Sequence, residues 1–254
     1  MIVYPNAKIN LGLNILRKRE DGYHDISSIF YPVKECVDIL EIVKSERFEF
    51  TKSGISIPDG ENLCEKAWKL LYTDFGIGNV KIHLHKQISI GAGLGGGSAD
   101  ASFTLKALNK LFELHLTNIQ LEKYALKLGA DCPFFIDNTT KYAQGIGERM
   151  TSIDLDLSNY DIRLVNPDIH ISTKEAFSWV VPKSPEIQVD EIIELPIIEW
   201  KGKLKNNFEE SVFIKYPTLI DLKDKLYKEG AIYVSMSGSG SVVFGVFKKN
   251  PHQN

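Results

Sequence analysis

One glycine-rich stretch in the middle of the chain carries the clearest chemical signal. Five glycines fall between Gly91 and Gly97, and apolar and small residues at helical spacing follow them. Glycines let the backbone turn its N–H groups toward one point and let a ligand approach closely. A helix N-terminus adds the positive end of its dipole, so this combination predicts a phosphate-binding loop.

The residues after the last glycine indicate where the helix begins. Ser98 is a favoured N-cap residue, and Asp100 would then lie in the first turn, where a negative charge suits the helix dipole. We therefore predict a helix that is capped by Ser98. A flexible turn is the plain alternative, but a linker rarely runs straight into a capped helix.

The glycine spacing does not decide which phosphate-binding motif is present. A Walker A loop requires Lys and then Ser or Thr after its last glycine, and here Gly97 occupies the lysine position. Residues 91–96 do satisfy the G-x-G-x-x-G pattern of dinucleotide-binding folds. That pattern needs a second strand ending in an acidic residue roughly 20 residues on. Glu113 lies at that distance but within the helical pattern, so we hold the Rossmann interpretation as a weak alternative.

A second stretch with chemical potential surrounds Asp131. This residue follows Gly129, which is typical of a helix C-terminus, and precedes Pro133 and two phenylalanines. A carboxylate in such a rigid, partly desolvated turn suits a proton acceptor, although it could equally be a turn cap. Cys132 has no neighbour that would activate it as a nucleophile, and we expect a buried small residue.

Hydrophobic periodicity predicts the elements that position these residues. The predicted strands are 7–16, 37–43, 48–51, 80–85 and 162–165, with two more on either side of residues 237–241. The predicted helices are 61–72, one from Ser98, 119–128, one from Ser172 or Thr173, 206–212 and 218–227. His83 and His85 share the polar face of one strand, where surface side chains are a better interpretation than a metal pair.

The bulk composition excludes several classes of protein. The 254 residues carry a formal net charge of −3, which gives no basic field for nucleic acid. Cys36, Cys64 and Cys132 are an odd number without paired spacing, so we expect neither a disulfide framework nor a zinc site. No apolar run approaches the ~20 residues of a bilayer span, and the first residues lack a signal-peptide pattern. We expect a soluble, cytoplasmic protein without nucleic-acid or membrane partners.

Four separated stretches resemble the GHMP kinases. They occur in the family's order over nearly the whole chain, at residues 7–11, 91–98, 129–135 and 236–240. The resemblance implies an α+β fold of two domains, residues 1–155 and 156–254, with the active site in the inter-domain cleft. It also implies an ATP-dependent small-molecule kinase that uses Mg²⁺, whose protein ligands the sequence does not identify.

Position by position, the resemblance also assigns roles to individual residues. Asp131 would be the catalytic base and an acceptor contact, with Lys8 as its partner. Asn62 would contact the adenine. The phosphates would be bound by the loop residues Ser89, Ile90, Gly91, Ala92, Gly93, Leu94, Gly95, Gly96, Gly97, Ser98 and Ala99. The acceptor would be held by Asn10, Tyr23, His24, Thr173 and Phe177, of which Tyr23, His24 and Phe177 would grip a cytosine ring.

Two runs, residues 21–24 and 129–135, resemble one branch of that family. Its substrate is a cytidine-diphosphate sugar alcohol of non-mevalonate isoprenoid precursor biosynthesis, phosphorylated on the 2-hydroxyl. Ser89 stands where the family usually has proline and Ser239 where it often has threonine, so we expect altered loop rigidity rather than lost function.

Two other functions stay open from the sequence. A family kinase for homoserine, mevalonate or a sugar would have no use for Tyr23 and His24, which suit a flat base. A non-catalytic nucleotide sensor would have no use for the proton acceptor Asp131. The resemblance is compatible with a monomer or a homodimer.

Overall fold

The computed structural model describes residues 1–58 and 60–249, which form a mixed α+β structure as predicted. The strands are β1 (Ile2–Val3), β2 (Asn6–Lys18), β3 (His24–Val37), β4 (Ile39–Lys44), β5 (Glu49–Gly54), β6 (Val80–Lys86), β7 (Lys141–Gly145), β8 (Arg149–Ser152), β9 (Tyr160–Val165), β10 (Tyr233–Met236) and β11 (Val243–Lys248). The helices are α1 (Leu63–Phe75), α2 (Gly96–Leu111), α3 (Asn118–Leu128), α4 (Phe134–Asp137), α5 (Thr173–Trp179), α6 (Val189–Ile192), α7 (Phe208–Lys215) and α8 (Thr218–Lys228), and a 3₁₀ helix spans Ile197–Glu199.

Contacts within the chain divide it into two compact units. Unit 1 consists of Met1–Lys8, Pro32–Ile90 and Gly95–Thr139, and unit 2 of Ile9–Tyr31, Gly91–Leu94 and the chain from Thr140 onward. Each unit is therefore assembled from separated stretches of sequence. The expected domain boundary after residue 155 stays a prediction.

Unit 1 is built on a four-stranded sheet of order β1-β4-β6-β5. β4 runs antiparallel to β6, whereas β5 runs parallel to it. The alternation predicted for residues 80–85 is present, because Val80, Ile82 and Leu84 are buried while the intervening side chains are not. Together with apolar residues of α1, α2 and α3 they form the core of this unit. The sheet therefore holds the strand that leads into the glycine loop.

Unit 2 contains the antiparallel sheet β10-β11-β9 and most of the sheet β2-β3-β7-β8. Its core combines apolar residues of the strands with those of α5, α7 and α8, including Val234, Val243, Phe208 and Leu219. The two predicted strands around residues 237–241 are present as β10 and β11. The same unit therefore carries the loop that joins them.

The sequence prediction missed β3, β7 and β8. Residues 26–30 are buried at every position, including Ser27 and Ser28, so β3 is covered on both faces and shows no alternation of apolar and polar residues. β7 and β8 are short, and polar side chains dominate them. Periodicity alone gave no signal for these three strands.

None of the helices in the part of the chain that the structure describes has the length and apolar character that a bilayer span requires.

Candidate active site

The glycine loop ends in a helix whose first residues are not capped by a side chain. α2 begins at Gly96, and its N-cap is Gly95, which has φ of +68°. Only glycine adopts this left-handed conformation without a steric cost. The predicted Ser98 cap is therefore wrong, because Ser98 lies inside the first turn. Since a glycine cap has no side chain to occupy the first N–H groups, these donors are suited to a ligand.

Asp100 is also placed differently from the prediction. It lies beyond the first turn of α2 and is buried, so it does not serve the helix dipole at the surface. Its Oδ2 is instead 2.7 Å from the ammonium of Lys86. The pattern could not show this, because the partner comes from a strand of the neighbouring sheet.

Lys8 and Asp131 form an ion pair in unit 1. The Lys8 Nζ lies 3.3 Å from Asp131 Oδ2, and their side chains are 5% and 33% exposed. Lys8 also packs against the end of the glycine loop, since a Cβ added at Gly95 would lie 3.0 Å from Lys8 Cγ. One buried lysine therefore contacts both the partly exposed carboxylate and the residue that caps α2.

The turn that carries Asp131 is braced from two sides. Gly129 ends α3 as predicted, and its carbonyl oxygen accepts a hydrogen bond from the Cys132 N–H at 3.1 Å. The Cys132 carbonyl accepts another from Ser102 Oγ on α2, at 2.7 Å. Cys132 is buried, and this burial raises the pKa of its thiol to about 11. The prediction of a buried small residue at Cys132 is confirmed, and the turn fixes the Asp131 backbone.

The first half of the glycine loop packs within unit 2. Gly93 has φ of +79°, and a Cβ added there would lie 1.9 Å from the Ser237 carbonyl oxygen. Ser237 Oγ donates a hydrogen bond to the Gly93 carbonyl at 2.8 Å. A Cβ at Gly91 would lie 3.0 Å from the ring of His170. The glycines therefore allow the loop backbone to approach the backbone of Ser237 closely, and they also allow the loop to turn.

The loop at residues 237–241 brings two of the predicted acceptor residues together. The Asn10 N–H donates to Ser237 Oγ at 3.3 Å, and Thr173 Oγ1 lies 3.2 Å from Ser239 Oγ. Asn206 holds the same loop, since its Nδ2 donates to the carbonyls of Met236 and Gly238, both at 2.8 Å. The sequence pattern predicts no role for Asn206; its position as the first residue of the predicted helix 206–212 is the one available signal.

Two of the three residues predicted to hold a flat base, His24 and Phe177, contact each other. His24 stacks on Phe177 with ring centroids 4.8 Å apart and an interplanar angle of 21°. Burial and the nearby Lys18 lower the pKa of His24, which favours a neutral imidazole at pH 7. Tyr23 is 61% exposed, so its ring is accessible to a ligand.

Asn62 and the histidine pair have local structural roles. Asn62 is the N-cap of α1, where its side chain accepts a hydrogen bond from the Cys64 N–H at 2.8 Å. The adenine contact expected of it stays a prediction. His83 hydrogen-bonds to the hydroxyls of Thr51 and Ser53, and His85 to that of Ser53.

A buried charged cluster lies beside the loop, and our sequence prediction missed it. The Lys86 ammonium lies 2.5 Å from Asp38 Oδ2 and 2.7 Å from Asp100 Oδ2. Burial alone would lower the pKa of Lys86, but the two carboxylates raise it. Burial raises the pKa of Asp100 to about 7, against the pull of Lys86. The sequence did contain a signal that Lys86 is buried. Lys86 follows Val80, Ile82 and Leu84 at every second position, on the buried face of the strand.

Known proteins resemble this chain over most of its length. Residues 62–138 match the family described as "GHMP kinases N terminal domain", and residues 195–254 match "GHMP kinases C terminal". A protein of Parabacteroides distasonis named 4-diphosphocytidyl-2-C-methyl-D-erythritol kinase is 51% identical over 99% of this chain and 93% of its own. The chain belongs to the GHMP kinase family. A relative of the same name from Bacteroides fragilis is 50% identical, over 97% of this chain and 92% of its own.

Solved structures of two kinases share the fold. A crystal structure of 4-(cytidine 5'-diphospho)-2C-methyl-D-erythritol kinase superposes with a TM-score of 0.83 at 33% identity, covering 97% of this chain and 90% of that one. Homoserine kinase from Cytophaga hutchinsonii shares the fold with a TM-score of 0.68 at 15% identity. The expected GHMP kinase fold and an ATP-dependent small-molecule phosphotransferase are both confirmed.

Proposed function

We propose that this GHMP kinase transfers the γ-phosphoryl group of ATP to the 2-hydroxyl of 4-diphosphocytidyl-2-C-methyl-D-erythritol. The reaction is a step of non-mevalonate isoprenoid precursor biosynthesis in the cytoplasm. The names of the relatives at about half identity support this substrate. The observation that carries the chemistry is the Lys8–Asp131 ion pair, in which Lys8 packs against Gly95 at the start of α2, where no side chain caps the helix.

Phosphoryl transfer demands positioning and charge stabilisation more than covalent chemistry. The loop from Ser89 to Ala99 wraps the phosphates, and the first N–H groups of α2 and the helix dipole stabilise the negative charge. Asp131 orients the acceptor hydroxyl and takes its proton, and Lys8 fixes the carboxylate that does so. The braced turn around Cys132 keeps that carboxylate in one position.

The residues at the start of α2 fit a Mg²⁺ ion that is held mainly by phosphate. No cluster of three His, Cys, Asp or Glu side chains that could hold a metal occurs among residues 1–58 and 60–249. In kinases Mg²⁺ usually binds one or two carboxylates besides phosphate and water, and in some phosphate-binding loops a Ser or Thr hydroxyl oxygen also contacts it. Ser98, in the first turn of the helix, would supply such an oxygen, and the bound ion would neutralise charge on the transferred group.

In this proposal the acceptor is bound by an aromatic group and by two polar residues. His24 and Phe177 form one wall for the cytosine, and Tyr23 closes over the base from the exposed side. Asn10 and Thr173 contact the remainder of the acceptor beside the loop at residues 237–241. Another family kinase that acts on homoserine or mevalonate would not need this aromatic group.

We expect Tyr23→Ala to weaken acceptor binding by about 1–3 kcal/mol, the scale of a lost base–aromatic stack. The fold should be unaffected, since the side chain is largely exposed. The measurement is the KM for the acceptor, with the KM for ATP as internal reference. Tyr23→Phe, which keeps the ring, is the matched control. An unchanged acceptor KM in the alanine variant would show that Tyr23 does not contact the cytosine.

A coupled ADP-release assay tests the proposed function as a whole. The wild-type chain is supplied with ATP, Mg²⁺ and 4-diphosphocytidyl-2-C-methyl-D-erythritol, homoserine or mevalonate in parallel. We expect kcat/KM for the cytidylylated alcohol to exceed the others by at least about 10³-fold, because buried polar groups reject acceptors that leave them unpaired. Preference for homoserine or mevalonate would replace the substrate assignment. Binding of ATP without turnover of any acceptor would favour a nucleotide sensor.

A further inference from the structure

The cluster of Lys86, Asp38 and Asp100 joins three elements of unit 1. Lys86 is the last residue of β6, Asp38 lies between β3 and β4, and Asp100 belongs to α2. The side chains of Lys86, Asp38 and Asp100 are 3%, 0% and 3% exposed. Such an arrangement removes three ionisable groups from water at once, which is costly for a folded protein.

The cluster holds the chain on both sides of the glycine loop. Before the loop, Asp38 Oδ1 accepts hydrogen bonds from the backbone N–H groups of Gln87, at 2.6 Å, and Ile88, at 2.8 Å. After the loop, Asp100 fixes the second turn of α2 to Lys86. The residues between these two anchors are the ones proposed to bind the phosphates.

The first residue of α2 lies directly on the cluster. A Cβ added at Gly96 would be 2.9 Å from Lys86 Nζ and 2.8 Å from Ile88 Cγ2. Only a glycine allows the helix to approach the lysine and the start of the loop this closely. The position of the first N–H groups of α2 is therefore set by the cluster beneath them.

Stability alone does not account for this choice of residues. Buried ion pairs are often replaceable by apolar residues without loss of stability. In addition, Asp100 Oδ1 is buried without a hydrogen-bond partner among the described residues, which costs free energy. A group that is unfavourable for folding but fixes geometry next to a binding loop is typical of a preorganised site.

We propose that Lys86, Asp38 and Asp100 are positioning residues that preorganise the glycine loop for the nucleotide phosphates. This inference rests on the proposed binding of ATP at that loop. The cluster acts through the backbone of residues 87, 88 and 96, without contacting the acceptor. Its loss therefore raises the KM for ATP and leaves the KM for the acceptor nearly unchanged.

Hydrogen exchange of the wild-type chain tests the preorganisation directly. The amides of Gln87 and Ile88 and the first turn of α2 are followed with and without a non-hydrolysable ATP analogue. We expect the amides of Gln87 and Ile88 to be protected from exchange already in the free protein, because Asp38 Oδ1 accepts a hydrogen bond from each of them. Protection that develops only when the analogue is added would overturn the proposal, since the loop would then be ordered by its ligand.

Variants test the effect on nucleotide affinity. We expect Lys86→Met and Asp38→Ala to raise the KM for ATP by at least about tenfold, with the acceptor KM within about twofold. Asp38→Asn keeps an oxygen for the two backbone N–H groups and should retain more ATP affinity than Asp38→Ala. Lys106→Met is the control, because Lys106 is a half-buried lysine of α2 that donates to the Ile136 carbonyl at 2.8 Å, away from the loop.

The outcomes separate this proposal from the proposed function. If the wild-type chain binds the analogue and the folded variants bind it equally well, the cluster has no positioning role. If the wild-type chain does not bind the analogue at all, the proposed function itself fails. If the Lys86 and Asp38 variants do not fold, the hydrogen-exchange result on the wild-type chain still decides.

Discussion

Asp131→Asn is expected to lower kcat by at least about 10²-fold while the affinity for ATP stays nearly unchanged. The amide keeps the size of the carboxylate but cannot accept the proton of the acceptor hydroxyl. It also loses the attraction for the Lys8 ammonium, which lies 3.3 Å away. Steady-state kinetics with ATP and the cytidylylated alcohol measure kcat, and calorimetric titration with the non-hydrolysable analogue measures nucleotide affinity.

Asp137→Asn is a suitable control for this substitution. Asp137 ends α4 a few residues further along, and its carboxylate accepts a hydrogen bond from Thr139 Oγ1 at 2.8 Å. We expect its turnover to stay within about twofold of wild type, as for surface changes outside the site. Near-wild-type turnover in Asp131→Asn would show that another group receives the proton.

Gly93→Ala is expected to destabilise the protein by at least about 2 kcal/mol and to abolish tight ATP binding. The added methyl group would lie 1.9 Å from the Ser237 carbonyl oxygen, and φ of +79° is itself unfavourable for alanine. Because the obstacle is backbone, no side chain can rotate away from it. Denaturant unfolding measures the stability, and titration with the ATP analogue measures the affinity.

Gly76→Ala separates the backbone strain from the steric overlap. Gly76 has φ of +62°, and a Cβ there meets no atom of the described residues within 4 Å. We expect a loss of about 1 kcal/mol with unchanged ATP affinity. If Gly93→Ala is no worse than Gly76→Ala, residues 91–94 do not pack on Ser237 as described.

Structural features that depend on contiguous residues were predictable from the sequence. The strand 80–85, the helix after the glycines and the helix end at Gly129 were predicted and are present, because hydrophobic periodicity and the positions of glycines are local properties of the sequence. The glycine loop and Asp131 were identified as candidates for the same reason. Their roles as phosphate loop and base stay proposals that the experiments above address.

Tertiary structure decided the rest, since it depends on contacts between distant parts of the chain. The sequence placed Asp100 at a helix start, whereas the fold pairs it with Lys86 and buries both. The resemblance paired Lys8 with Asp131, but nothing in the sequence indicated that the same lysine would also pack against Gly95, 87 positions further along the chain. A charged side chain is buried only where the fold supplies its partner, and no local pattern records which partner that is.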